Sequence, residues 1–133
     1  MICNVVGGGE SKVLAKPDYF TIGTNFHCEW ANIVFAVDEP VVKDLLRLRN
    51  QLVFTNPKVY IRFRHDSKCF SFDSKQFYRT SSLSSGLSAI CLANLLGFTK
   101  INLYGFDKII SNYRENKTKF EMIKDKNREY IFI

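Results

Sequence analysis

No apolar run in this sequence approaches the roughly 18 residues that a membrane-spanning helix needs, and the amino terminus lacks the charged-then-apolar layout of a secretory signal. The expectation is a soluble protein of the cytoplasm, in which the formal sequon Asn116-Lys117-Thr118 has no use. The four cysteines, Cys3, Cys28, Cys69 and Cys91, show no paired spacing. Cys3 and Cys91 fall within apolar segments, where a thiol behaves as a small hydrophobe, so a reducing compartment is the simplest setting. No Gly-Lys-Ser/Thr follows the glycine-rich stretch Gly7-Gly8-Gly9, and the full Gly-x-Gly-x-x-Gly is missing, which excludes a Walker loop and a dinucleotide fingerprint. No internal repeat or low-complexity linker divides the chain.

What is present is a core. Hydrophobic residues fill 46% of the 133 positions and twelve residues are Phe, which argues against disorder and for one α/β domain spanning residues 1–133. The formal charge of +6, from 19 basic and 13 acidic residues, is interspersed rather than gathered in an arm. It biases the choice of partner toward anions, with nucleotide, nucleic acid and anionic glycan all satisfying it.

The stretch from Ser81 to Asp107 organises the rest. Leu87, Ile90, Cys91, Leu95 and Phe98 have helical spacing, preceded by serines able to cap amide donors and followed by Gly97 as a stop, which predicts a helix over Ser85–Leu96. Lys100–Tyr104 then reads as a strand that ends at Gly105-Phe106-Asp107. Upstream, Ile2–Val6, Tyr19–Gly23 and Asn32–Val37 read as strands, and Pro40 opens a helix over Val41–Leu52 with Val41, Leu45, Leu48 and Leu52 on one face. Lys58–Phe63 alternates Val59, Ile61 and Phe63 with Tyr60, Arg62 and Arg64, which predicts a strand near a sheet edge. His65–Arg79 has no period and reads as a long loop. After a polar, basic stretch from Asn112 to Lys117, Phe120, Ile123, Asn127, Tyr130 and Ile131 have helical spacing, although Tyr130–Ile133 reads equally well as strand. Strand alternating with helix predicts a three-layer, Rossmann-like sandwich around a mainly parallel sheet of about five strands.

In such a sheet the strand ends share one rim. Gly7-Gly8-Gly9-Glu10-Ser11, Thr24-Asn25, Asp38 and Gly105-Phe106-Asp107 would converge there with the helix start Ser84-Ser85-Gly86, offering amides and hydroxyls for phosphate and carboxylates for sugar hydroxyls. By itself the glycine stretch is either a phosphate loop or a tight strand-to-helix turn.

Gly-Gly-Gly-Glu-Ser after a first strand, Asn after a second, and the Ser-Ser-Gly-Leu…Gly-Phe-Asp unit resemble bacterial and phage sialyltransferase-like and pterin-diphosphokinase-like (DUF115) proteins. The resemblance covers residues 2–38 and 80–107. It implies a Rossmann-like, glycosyltransferase-type domain in which Gly7, Gly8, Gly9, Ser11, Asn25, Ser84, Ser85 and Gly86 contact a CMP-type nucleotide or nucleotide sugar, while Gly105 and Asp107 lie beside the ribose. Glu10 departs from the pattern, since proline is common before the serine. Those enzymes also continue past the last strand into a lid carrying a histidine base and tyrosines, whereas this sequence ends at Ile133 and is expected to lack that lid. Binding therefore carries over better than catalysis, for which Asp107 and His27 are the candidate bases.

Other features have plainer readings beside the functional ones. His65-Asp66 resembles the metal pair of HD phosphohydrolases, but no second histidine follows on a helix and no metal site is expected. Trp30 reads as core rather than as a stacking platform. Arg62 and Arg64 read as a solvated face rather than as phosphate ligands. Besides nucleotide binding, the +6 charge and the basic stretch Lys117–Arg128 leave a second function open: a non-catalytic module for nucleic acid or a host protein, of phage origin and acting in the host cytoplasm. Arg62, Arg64, Lys117, Lys119 and Lys124 on one face would favour it.

Overall fold

Short β-rich runs punctuated by glycine and asparagine alternate with helical segments along the chain, and the computed structural model turns every expected strand but Lys58–Phe63 into a parallel strand. It describes residues 1–77, 83–107 and 114–133, the side chains of Arg114 and Glu115 excepted. Tyr78 and Arg79 of the expected loop, the serines Ser81 and Ser82, and Asn112 and Tyr113 lie outside the described residues. The strands are β1 (Ile2–Val6), β2 (Phe20–Thr24), β3 (Ile33–Phe35), β4 (Leu52–Thr55), β5 (Cys69–Ser71), β6 (Lys100–Tyr104) and β7 (Glu129–Phe132). The helices are α1 (Glu39–Leu48), α2 (Pro57–Phe63), α3 (Ser85–Leu95) and α4 (Arg114–Ile123), with short 3-10 turns at Glu10–Leu14 and Ser74–Gln76.

The sheet runs β5-β4-β3-β2-β1-β6-β7, and every neighbouring pair is parallel. This is the expected α/β architecture with seven strands rather than about five. The difference has two sources. Leu52–Thr55, Cys69–Ser71 and Glu129–Phe132 are strands, and Lys58–Phe63 is not.

Alternation along the strands sends side chains to both faces of the sheet. On one face Cys3, Val5, Ile22, Ile33, Phe35, Ile101 and Leu103 meet α3, with Phe120 and Ile123 of α4 behind it. On the other, Val34 and Val53 meet Val42, Leu45 and Leu46 of α1, with Val59, Tyr60 and Phe63 of α2 packed alongside. The helix α3 is buried on nearly every side, from Leu87 to Asn94, as befits a helix apolar around its whole circumference. Asn94, its buried polar residue near the carboxyl end, donates to Ile123 O (3.1 Å) and accepts from the Tyr130 hydroxyl (2.7 Å), tying α3 to α4 and β7.

Three expectations are corrected. First, Pro57 and the Asn56 side chain, which accepts from Val59 N–H at 2.9 Å, start a helix where alternation predicted a strand. Val59 and Phe63 then pack inward at i, i+4 while Ile61 stays 61% exposed. Second, α1 stops at Leu48 rather than Leu52: Lys68 Nζ donates to Leu46 O (2.6 Å) and Arg49 O (2.8 Å), closing its carboxyl end, and Leu52 opens β4. Third, Trp30 is 40% exposed and is not a core residue. Among the described residues no helix is long and apolar enough to cross a membrane, and no cluster of His, Cys, Asp and Glu suits a metal.

Candidate functional site

The chain steps outward from β1 through β5 and returns to the opposite side of β1 as β6, so strand order reverses between β1 and β6. In a parallel sheet the two connections leaving such a pair diverge to opposite faces and open a crevice at the carboxyl ends. A cleft of about 610 Å³ lies there. It is bounded by Gly7, Gly8, Gly9, Asn25, His27, Asp38, Ser84, Ser85, Gly86 and Gly105, together with Thr24, Val37, Phe106 and Asn116.

The glycine loop is held in contact with the end of β6. Gly7 N–H donates to Tyr104 O (2.7 Å) and Gly9 N–H to Gly105 O (2.8 Å). A Cβ on Gly7 would stand 2.8 Å from Gly105 O, and one on Gly9 would collide with the Asp107 carboxylate. The tight-turn reading of this stretch is met, since the glycines allow backbone to approach backbone, and the same glycines line the cleft. Gly105 takes φ +77°, a left-handed conformation that favours glycine.

Ser11 and Asp107 form a clasp across this junction. Gly105 N–H donates to Ser11 Oγ (2.7 Å), and Ser11 N–H donates to Asp107 Oδ2 (3.2 Å). The bond from the Ser11 amide, then that from its hydroxyl, holds the Asp107 carboxyl below its usual range. Asp107 is therefore a stabilised anion with little appetite for a proton.

A second clasp joins β2, β3 and α3. Asn25 turns left-handed at φ 51° just after β2, a conformation asparagine tolerates better than most residues. Its side-chain Oδ1 accepts from Ser85 Oγ (3.3 Å), which in turn accepts from Val37 N–H (3.1 Å). The Ser85 hydroxyl proton is thus committed to Asn25, and what α3 presents to the cleft is its first-turn amides. Ser84 caps the helix, accepting from Leu87 N–H at 3.4 Å. The amides of Ser85 and Gly86, for which an α-helix provides no internal acceptor, are the donors left for a ligand at this positive helix end.

His27 stands at the opposite wall, its Nε2 2.7 Å from where a Cβ on Gly8 would be. Burial, then the neighbouring Lys12 charge, lowers its pKa. Lys12 Nζ lies 3.4 Å from Nδ1; an ammonium only donates, so Nδ1 accepts and the proton sits on Nε2. In that tautomer Nε2–H faces the glycine loop as a donor.

All eleven residues expected at the site, Asp107 and His27 included, thus lie in or directly against one cleft. Phe106 was read from the sequence only as part of the Gly105-Phe106-Asp107 strand end; its buried ring packs against Gly7 and Gly86, where a Cβ would come within 3.2 and 2.9 Å of it. Asn116 was missed; it reaches the cleft through tertiary placement that no local pattern encodes. The basic residues do not gather on one face. Arg62 is on α2, paired with Glu39 at 3.4 Å, while Lys117 and Lys119 are on α4, across the sheet.

No protein-family model matches the chain, and no curated protein matches it in sequence. Among solved structures the fold is similar to that of the sialyltransferase CstII from Campylobacter jejuni in complex with the substrate analogue CMP-3FNeuAc. The TM-score is 0.60 and the identity 13%, over 98% of this chain and 79% of that one. What the two share is a sialyltransferase-like α/β fold.

Proposed function

We propose that this chain binds a CMP-type nucleotide or nucleotide sugar in the cleft at the carboxyl ends of β1 and β6. The observation that carries the reading is the convergence of the glycine loop, the Gly105 turn and the amino end of α3 on one 610 Å³ cleft at the point where strand order reverses. Amides and a helix dipole suit phosphate, and Asp38 and Asn116 on the rim suit ribose or sugar hydroxyls. The CMP-sugar analogue in the CstII structure favours the sialyltransferase side of the resemblance over its pterin-diphosphokinase-like side. Four unpaired, buried thiols fit the cytoplasm as the place of action.

Sugar transfer is the finer reading. It needs a group to take the acceptor's proton and donors to receive the departing phosphate. The α3 amides suit the second task. For the first, Asp107 is engaged by Ser11 and His27 Nδ1 by Lys12, so each must exchange a partner before it can take a proton.

Thermal melts with CMP, UMP and a CMP-sugar test it. Saturation at about 100 times Kd is worth about 2.7 kcal/mol, or a rise in Tm of roughly 10 °C. Ser84→Asp retains a good capping side chain while placing charge against the phosphate, so it is expected to fold and to lose the rise. No shift with any of the three ligands would overturn the reading. Release of CMP from the CMP-sugar would add transfer to it.

A further inference from the structure

Midway along β1 and β6, two asparagines sit where a core would ordinarily be apolar. Asn4 in the middle of β1 is fully buried and Asn102 beside it on β6 is 9% exposed. Buried amides are costly unless paired, and these two form a directed chain. Asn102 Nδ2 donates to Asn4 Oδ1 (3.0 Å), and Asn4 Nδ2 donates to Asp18 Oδ1 (2.8 Å) and to Lys16 O (3.2 Å). The chain leaves the core and ends on a surface carboxylate. Nothing in the nucleotide cleft uses it.

Asp18 lines a depression of about 410 Å³ with Tyr19, Phe20, Trp30 and Asn32, near the lower end of the range for small-ligand sites. Three of these are aromatic, with Tyr19 46%, Phe20 36% and Trp30 40% exposed. Phe20 is fixed from behind by stacking on Phe98, with centroids 5.4 Å apart. Asn32 is fixed as well: its Oδ1 accepts from Thr21 N–H (2.9 Å), which leaves its Nδ2 donors, Asp18 Oδ2 and the Trp30 indole N–H without partners among the described residues. Exposed aromatic surface, an oriented acceptor and two kinds of donor thus share one concavity.

We infer that this depression is a second binding site and that its ligand is a neutral pyranose sugar. A pyranose presents C–H bonds on one face and hydroxyls around its edge. Aromatic faces, negative at the π cloud, attract the C–H face. A carboxylate oxygen beside an amide donor matches a pair of neighbouring hydroxyls, each of which donates and accepts. The Asp18 charge disfavours phosphate, sulfate and carboxylate groups, so the site selects against the anions that suit the nucleotide cleft. The buried asparagine chain holds the carboxylate in one orientation before any ligand arrives, which lowers the ordering cost of binding. In a chain that also binds a nucleotide sugar, the site would hold a glycan away from the cleft; the inference does not depend on that reading.

Trp30 is the sole tryptophan, so its fluorescence reports on this depression alone. Titration with methyl glucoside, methyl galactoside and N-acetylglucosamine is expected to shift the emission saturably for at least one of them, with Kd on the order of 1 mM. Asp18→Asn, which keeps an acceptor for Asn4, and Tyr19→Ser on the exposed face are each expected to weaken binding about tenfold, while CMP binding at the cleft is unchanged. Backbone amide NMR would place the perturbation at residues 18–21, 30 and 32. Absence of a saturable response to all three sugars, equal affinity in both variants, or perturbation confined to the nucleotide cleft would each overturn the inference. So would an emission shift that tracks protein concentration instead of sugar, since a second copy would then be the occupant.

Discussion

Gly105 and Gly97 share a left-handed backbone, at φ +77° and +89°, but not an environment. A Cβ on Gly97 would meet nothing within 4 Å, whereas one on Gly105 would run into the Gly7 carbonyl and stand 3.1 Å from Gly9 N. Gly97→Ala therefore carries the conformational cost alone, about 1 kcal/mol. Gly105→Ala adds a clash that only a movement of the glycine loop can relieve, for a total of about 3 kcal/mol. Urea unfolding of the two variants side by side checks the difference, and nucleotide affinity is expected to fall only in Gly105→Ala. The glycines themselves were legible in the sequence as a loop and a helix stop. That Gly7, Gly9 and Gly105 are needed for one another was not, because the contact spans nearly 100 residues of chain.

The helix α2 shows how a local signal can mislead. Val59, Ile61 and Phe63 alternate as in a strand, but Asn56 and Pro57 at the entry are helix-starting residues, and tertiary contacts chose the period: Val59 and Phe63 face the α1 core and Ile61 faces solvent. A helix of seven residues is marginal by itself. Asn56→Ala, which deletes the bond to Val59 N–H, is expected to cost about 1 kcal/mol. Chemical denaturation measures this, and circular dichroism of the folded variant checks that the rest of the fold is intact. The central elements were easier to read. For β1, β6 and α3 the apolar runs are bounded by glycine or serine and need no partner to be recognised, whereas β4 and β5 are short and gain their definition from pairing with β3 and with each other.

Across the molecule, the four cysteines sample separate regions: Cys3 on β1, Cys28 between β2 and β3, Cys69 on β5 and Cys91 on α3, all buried. Burial pushes the Cys3 and Cys91 thiols up to about 12 and raises Cys28 and Cys69 as well. Since the thiolate is the reactive form, iodoacetamide is expected to leave the native protein unmodified and to label all four sites together through the denaturation transition, as read by intact mass. Early labelling of Cys69 alone would show that the β5 edge opens separately from the centre of the sheet.

Sequence by itself determined the alternation of strand and helix, the parallel α/β class, and the residues whose strand and helix ends make the cleft, because capping, glycine stops and apolar period are local properties of a few consecutive residues. Only the tertiary structure decided that Lys58–Phe63 is helical, that Ser11 holds Asp107 and Asn25 holds Ser85, and that Trp30 lies on the surface beside a carboxylate anchored by two buried asparagines. Those outcomes depend on hydrogen bonds and packing between residues far apart in the chain, whose energies exist only after the sheet has brought them together.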